Sequence, residues 1–313
     1  MLILNVRIRD DRQLRSLTGL DEFQFKKLLA KFSAVRRKQQ YEMYTAGVAA
    51  GTRQRKPGGG SKGRLATDRE KLLFILHYHK SYPTFDVLST EYDLTRSNAH
   101  ANVHKLSPLL HDTLVAMKMV PHRHFVTADE LKAALTGVDS IIIDATERAY
   151  RRAQDYATQR LYYSGKQRHH TVKNMVIARP DKFILFLGQT FTGHNHDYTM
   201  LKTELPPDQD WFTDVRVLVD LGYLGIQSEY AGEQIDIPHK KPRKSKTNPD
   251  PQLTDQQKAE NRALSQVRIF VENAISGIKR YNILVHCFRN RKANFDDRVI
   301  ATAAGLWNFA LSY

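Results

Sequence analysis

The sequence predicts an α/β core preceded by an all-α helix-turn-helix region, and three observations carry that expectation. Beyond residue 138, β-branched runs such as "VDSIIID" and "VRVLVD" alternate with turns, the signature of buried strands. Residues 67–110 hold instead three runs of helical period, separated by Pro83 and by a tight turn at "DL". A long helix then carries "VRIFVENAISGIKR", in which Val267, Val271, Ala274, Ile275 and Ile278 fall on one apolar stripe.

In chain order, residues 1–48 form an N-terminal helical region. Its "DEFQFKKLLAKFSAVRRKQQ" segment clusters Phe23, Leu28, Leu29 and Phe32 on one side of a helix. Residues 49–66 are a basic, glycine-rich linker, either phosphate-seeking or merely solvated. Residues 67–125 follow as the helix-turn-helix segment. There Thr84 and Thr95 are the expected N-caps of the second and third helices. On the third helix Ala99, Val103, Leu106 and Leu110 share a face. Ser97, Asn98, Ala101 and Lys105 project roughly opposite, the small polar and basic set that a recognition helix offers to bases and phosphates. A three-helix bundle without a DNA role carries the same pattern. His100 and His104, four residues apart, have no visible third metal ligand nearby.

Residues 126–313 make up the α/β domain. The first strand ends at Asp144. "HTVKNMVIARPDKFILFLGQTF" gives two strands about a turn at "RPDK", "HDYTMLKTEL" a short helix, and "VRVLVD" a strand ending at Asp220. "QIDIPHKK" is the final strand, and "PRKSKTNPDPQ" a basic loop. Thr254 and Gln257 form a capping box that opens the long helix. A last helix, residues 295–311, packs Val299, Ala303, Leu306 and Phe309.

A net charge of +15 over 313 residues is more than a small-metabolite enzyme requires, and it points to a polyanion such as nucleic acid. The single cysteine, Cys287, excludes an internal disulfide and any cysteine-based zinc cluster. The chain has neither an apolar run long enough for a membrane span nor a signal-peptide pattern. The expected setting is the reducing cytoplasm, with no membrane partner.

Asp144 and Asp220 stand at strand ends, where α/β sheets place ligands. Glu272 comes from the long helix. Three converging carboxylates in a basic protein call for Mg²⁺ or Mn²⁺, and two such ions suit phosphodiester cleavage. Each aspartate alone also fits an ordinary turn. With Val271 at zero, Arg268, Lys279 and Glu272 project near about +60°, +80° and +100° on one flank of the helix. Plain salt bridges would give the same placement.

The ordered set "IIIDATE", "YYSGKQRHHTVKN", "HDYTML", "VLVDLGYLG", "IPHKKP" and "NRALSQVRIFVENAISGIKRYNIL" resembles bacterial insertion-sequence DDE transposases of the IS-five group, akin to PIF/Harbinger nucleases. "KLLFILHYHKSYPTFDVLSTEYDLTRSNAHANVHKL" resembles that group's helix-turn-helix. The resemblance implies an α/β RNase H-like catalytic core preceded by an all-α helix-turn-helix domain. It implies Asp144, Asp220 and Glu272 as catalytic and metal-binding acids, holding two Mg²⁺ or Mn²⁺ ions. Its partners would be DNA, as terminal inverted repeats and target, compatible with a homo-oligomer on the DNA. Arg268, Glu272 and Lys279 match the family's Tyr-x2-Arg-x3-Glu-x6-Lys signature, with Ser265 in place of the tyrosine. Arg268 and Lys279 would grip end phosphates, and Lys240 and Lys241 in "KKPRKSK" are either DNA contacts or a solvated charge run. Glu147 is either a supporting acid or a surface residue. His194, His196 and Asp197 in "GHNHD" are either a metal group or part of a loop near the active face. A domesticated non-catalytic regulator and a nuclease without transposition remain the alternatives.

Overall fold

The computed structural model describes residues 8–58, 63–246 and 248–313, so the GGSK stretch of the linker lies outside the described residues. The chain forms two compact units, one of residues 1–120 with 278–313 and one of residues 121–277.

The first unit is helical: α1 (Asp11–Thr18), α2 (Glu22–Ala49), α3 (Asp68–Ser81), α4 (Phe85–Glu91), α5 (Arg96–Ala116) and the C-terminal helix Phe295–Ser312. Helix α2 is longer than its sequence suggests and runs to the start of the basic linker. It buries Phe25, Leu28 and Phe32 and leaves Phe23 exposed, because the spacing 25, 28, 32 follows the helical repeat and Phe23 falls off that stripe. Reciprocal Thr67 and Glu70 bonds cap α3, while Thr84 and Thr95 accept from backbone N–H groups to cap α4 and α5. Asp93 takes a left-handed φ of 51° in the short α4–α5 connection, and the Leu94 N–H donates to the Ser89 carbonyl at 2.8 Å to close it. Ala99, Val103, Leu106 and Leu110 are all buried.

The division differs from the sequence boundaries at the C-terminus. Residues 278–313 join the N-terminal helices instead of the α/β unit. The last helix is apolar nearly all round, with Val299, Ile300, Ala303, Leu306 and Phe309 buried, and it covers that surface against α5. Asn308 donates to the Met119 carbonyl at 3.0 Å.

The second unit contains α6 (Ala128–Ala134), β1 (Ser140–Ala149), α7 (Tyr156–Tyr162), β2 (Tyr163–Ser164), β3 (His169–Ala178), β4 (Ile184–Leu187), β5 (Phe191–Thr192), α8 (Asp197–Glu204), β6 (Phe212–Leu218), α9 (Ile226–Glu229), β7 (Gly232–Asp236) and α10 (Asp255–Ile278). The strand path is β2-β3-β1-β6-β7, with β4 and β5 also paired to β3. Strand β1 is antiparallel to β3 along Ile142–Ala149 but parallel to β6 only along Ser140–Ile142. Strand β7 continues the parallel set. Ile141 and Ile143 point into a core with Met175, Ile177, Trp211, Val217, Met200 and Leu201. Side chains alternate along a strand, so Asp144 lies on the face opposite that core. Thr254 and Gln257 do exchange both bonds of the capping box at the start of α10.

Phe309→Ala should therefore destabilise the helical unit by about 3–5 kcal/mol. Hydrogen exchange should show protection lost in α5 and retained in β1.

Candidate active site

Strand β1 does not end at Asp144, as the sequence suggests. It runs five residues further because β3 pairs with it throughout, Asp144 lying opposite Val176. Asp144 stands at an edge only with respect to β6, whose parallel pairing stops at Ile142. Beyond β6 the chain turns sharply. Asp220 caps a one-turn 3₁₀ helix, Leu221–Tyr223, its Oδ1 accepting the Gly222 N–H at 2.7 Å. Glycine is required there by proximity: a Cβ would stand 2.8 Å from Asp220 Oδ1 and 3.2 Å from Asp197 Oδ2.

Asp144 and Asp220 thus face one another electrostatically across the parallel edge. The Asp144 carboxyl is raised to about 6: burial dominates, Asp220 and Asp197 add to it, and a bond from the Ala145 N–H and the charge of Arg268 oppose the rise. Arg268 reaches in from α10, largely buried, with Nη2 3.9 Å from Asp220 Oδ2 and a buried Nε that lacks a hydrogen-bond partner. The Tyr223 ring is fully buried. Its hydroxyl has no hydrogen-bond partner and lies in the field of Asp144, Asp197 and Asp220, which with burial holds it far above the usual phenol range.

The sequence expectation joined three acids. The structure brings Asp144 and Asp220 together and leaves Glu272 exposed on α10, one turn after Arg268. Among the described residues no three His, Cys, Asp or Glu side chains are arranged to hold a metal ion. The oxygen-only pair Asp144 and Asp220 is nonetheless of the kind that hard divalent ions take, and the Asp144 carboxyl, burdened by burial, is short of positive charge.

Two residues near the acids carried no role in the sequence reading. Lys173 pairs with Asp197 at 3.1 Å, and Tyr223 sits under the acids. Tyr223 lies in the "LGYLG" turn, whereas Lys173 sits within β3, in "HHTVKN", with no local signal of its partner Asp197. His196 precedes α8 and His194 lies two residues before it; among the described residues neither joins a group of three side chains arranged to hold a metal ion. Glu147 accepts from Thr171 Oγ1 at 2.5 Å on the strand pair. Lys240 and Lys241 are exposed in irregular backbone after β7, beside His239, whose N–H donates to Asn261 Oδ1 at 2.7 Å. In the helical unit Ser97, Asn98 and Lys105 are exposed on α5, and Lys279, just past the end of α10, is half-buried.

Residues 143–308 match the family described as DDE superfamily endonuclease, more than half of the chain. The chain belongs to the DDE endonuclease superfamily. A protein of Microchaete diplosiphon named "Probable transposase for insertion sequence element IS702" is 27% identical over 272 residues, 86% of this chain and 90% of that one. No solved structure matches. The match begins at Ile143, one residue before Asp144, and takes in Asp220, Arg268 and Glu272. No described helix of this DDE-family chain is long and apolar enough to cross a membrane.

From about pH 4 to about pH 6 the folded chain keeps the Asp144 proton that an unfolded aspartate has lost. The folded state binds more protons in that window, so metal-free stability falls as pH rises through it. Asp144→Asn should remove the penalty. Without divalent ions, it should be more stable than the parent above pH 6, by about 3 kcal/mol, and equally stable below pH 4.

Proposed function

We propose that this chain is an insertion-sequence transposase that binds the ends of its element and cuts and joins DNA at the Asp144–Asp220 edge. The observation that carries the reading is the meeting of two carboxylates from separate strands, with Arg268 beside them, inside the segment that matches the DDE endonucleases.

In this reading Asp144, Asp220 and Glu272 hold two Mg²⁺ or Mn²⁺ ions, with Glu272 turning in from its exposed place on α10. Bound there, the ions would activate a water and stabilise the leaving oxygen of an in-line displacement. The protein's own contribution is placement. The β3 pairing fixes Asp144, the Gly222 turn fixes Asp220, and Arg268 balances their charge before substrate arrives. Its planar fork then serves the scissile-strand phosphate, a geometry that lysine does not copy. Water attacks phosphorus, the bond to the 3′-oxygen breaks, and a 3′-hydroxyl and a 5′-phosphate result. The freed 3′-hydroxyl then attacks a target phosphorus and displaces that strand's 3′-oxygen. Lys240 and Lys241 hold the DNA backbone, and Lys279, in the helical unit, contacts end phosphates as well.

Helices α3, α4 and α5 act as a helix-turn-helix. The exposed Ser97, Asn98 and Lys105 present a small polar and basic face from the N-terminal half of α5, where such a helix enters a major groove.

The test is incubation with element-end DNA and Mg²⁺ or Mn²⁺. Cleavage and joining are both expected. Cleavage without joining would leave a nuclease, and neither would leave a DNA-binding regulator. Asp144→Asn, Asp220→Asn and Glu272→Gln should each slow single-turnover cleavage at least a hundredfold while retaining end binding, a loss of about 2.7 kcal/mol or more in transition-state stabilisation. Arg268→Lys should slow it tenfold or more without unfolding the chain.

Recognition is tested separately by gel shift across salt concentrations. Asn98→Ala should weaken end binding by about 1–3 kcal/mol and spare non-specific binding. Lys105→Ala should weaken both alike and flatten the salt dependence.

A further inference from the structure

The end of β1 that overhangs β6 supports a second feature, separate from the acids. A cleft of about 880 Å³ opens there, lined by Arg152, Tyr156, Arg160, Tyr163, His170 and His194 among others. None of its lining residues is a carboxylate. Tyr156 and Tyr163 are 74% and 45% exposed, unusual for large aromatic side chains. The His170 ring packs edge-on to Tyr163 with centroids 5.8 Å apart, and the Arg152 Nε donates to Gln159 Oε1 at 3.0 Å, which orients its guanidinium. Tyr150 stacks on Tyr162 at 5.2 Å and ties α7 to the strand end.

We propose that this cleft holds an unpaired nucleotide of the DNA substrate, its base stacked on Tyr156 or Tyr163 and its phosphate on Arg152 and Arg160. The proposal rests on the reading of DNA as substrate. The physical case is a matter of faces. A base inside a duplex has both faces covered by its neighbours, so away from a duplex terminus an open tyrosine face stacks on a base that has left the stack. The arginines supply the backbone attraction that every single-strand site uses, and the absence of a lining carboxylate leaves that attraction uncancelled. Position fits as well. Ala149, opposite Thr171 and one residue from His170 in register, is five strand residues beyond Asp144. At about 3.3 Å per residue that is about 17 Å, or roughly five steps along a DNA strand. The cleft would therefore take a nucleotide of the same DNA end whose backbone lies at the acids, once the strands separate there.

Fluorescence anisotropy with the full chain, a labelled oligothymidylate, a blunt duplex of equal length and an abasic strand tests it. The parent should bind all three, the abasic strand about tenfold more weakly than oligothymidylate. Tyr156→Ala or Tyr163→Ala should lower oligothymidylate affinity about tenfold and leave duplex affinity unchanged. Tyr156→Phe and Tyr163→Phe keep the ring face and should bind as the parent does, with unchanged circular dichroism. Parent-like oligothymidylate binding by both alanine variants would overturn the proposal, as would equal losses on duplex and single strand. Binding of duplex but not of oligothymidylate by the parent would overturn this proposal alone. Binding of neither would overturn it together with the DNA reading.

Discussion

A carboxylate placed on a strand inside a hydrophobic sheet is costly, and the α/β unit is organised around that cost. Asp144 follows three buried isoleucines and lies in a setting that pushes its proton affinity up. Asp220 beside it adds like charge. The structure offsets part of this with Arg268 and one backbone N–H, and leaves the Arg268 Nε and the Tyr223 hydroxyl buried without partners. Unsatisfied buried polar groups are expensive, and here two of them stand beside two like-charged acids.

The two-sided pairing of β1 explains why the acids and the aromatic cleft occupy different stretches of one strand. At Ile142 the strand pairs with β6 on one side and β3 on the other, as in a sheet interior. Past that point β6 ends, the 3₁₀ turn brings Asp220 across, and the acids gain an open edge. Further on, only β3 holds the strand, and α7 with β2 folds over its end to form the cleft. One long strand thus sets both the position of the acids and their separation from the tyrosines.

Compared with that framework, the long helix α10 is a delivery arm. Its apolar stripe buries Val271, Ala274 and Ile278, and its flank sends Arg268 inward while Glu272 stays outside. The helical projection grouped Arg268, Glu272 and Lys279 on one flank, but α10 ends at Ile278, so only Arg268 and Glu272 lie on the helix. The projection had no means of telling which of the two would turn toward Asp220. That choice depends on the depth at which the helix sits, since neighbouring residues a turn apart differ by several ångströms in distance from the sheet.

The sequence by itself determined what depends on near neighbours. Strand periods, caps at Thr84, Thr95 and Thr254, the buried face of α5 and the turn after β6 all follow from side-chain spacing and local hydrogen bonding. Motif order was also local enough to give the family. Only the tertiary structure decided the rest. It extended β1 past Asp144, because β3 is a partner distant in sequence. It moved residues 278–313 to the helices, because an apolar helix packs on whichever surface is available and its own sequence does not name it. It set Asp197, Lys173 and Tyr223 around the acids and Arg152, Tyr156 and Tyr163 around a cleft. The acid grouping joins segments far apart along the chain, and the cleft closes only because α7 and β2 fold against β3, so sheet register and helix placement fix both.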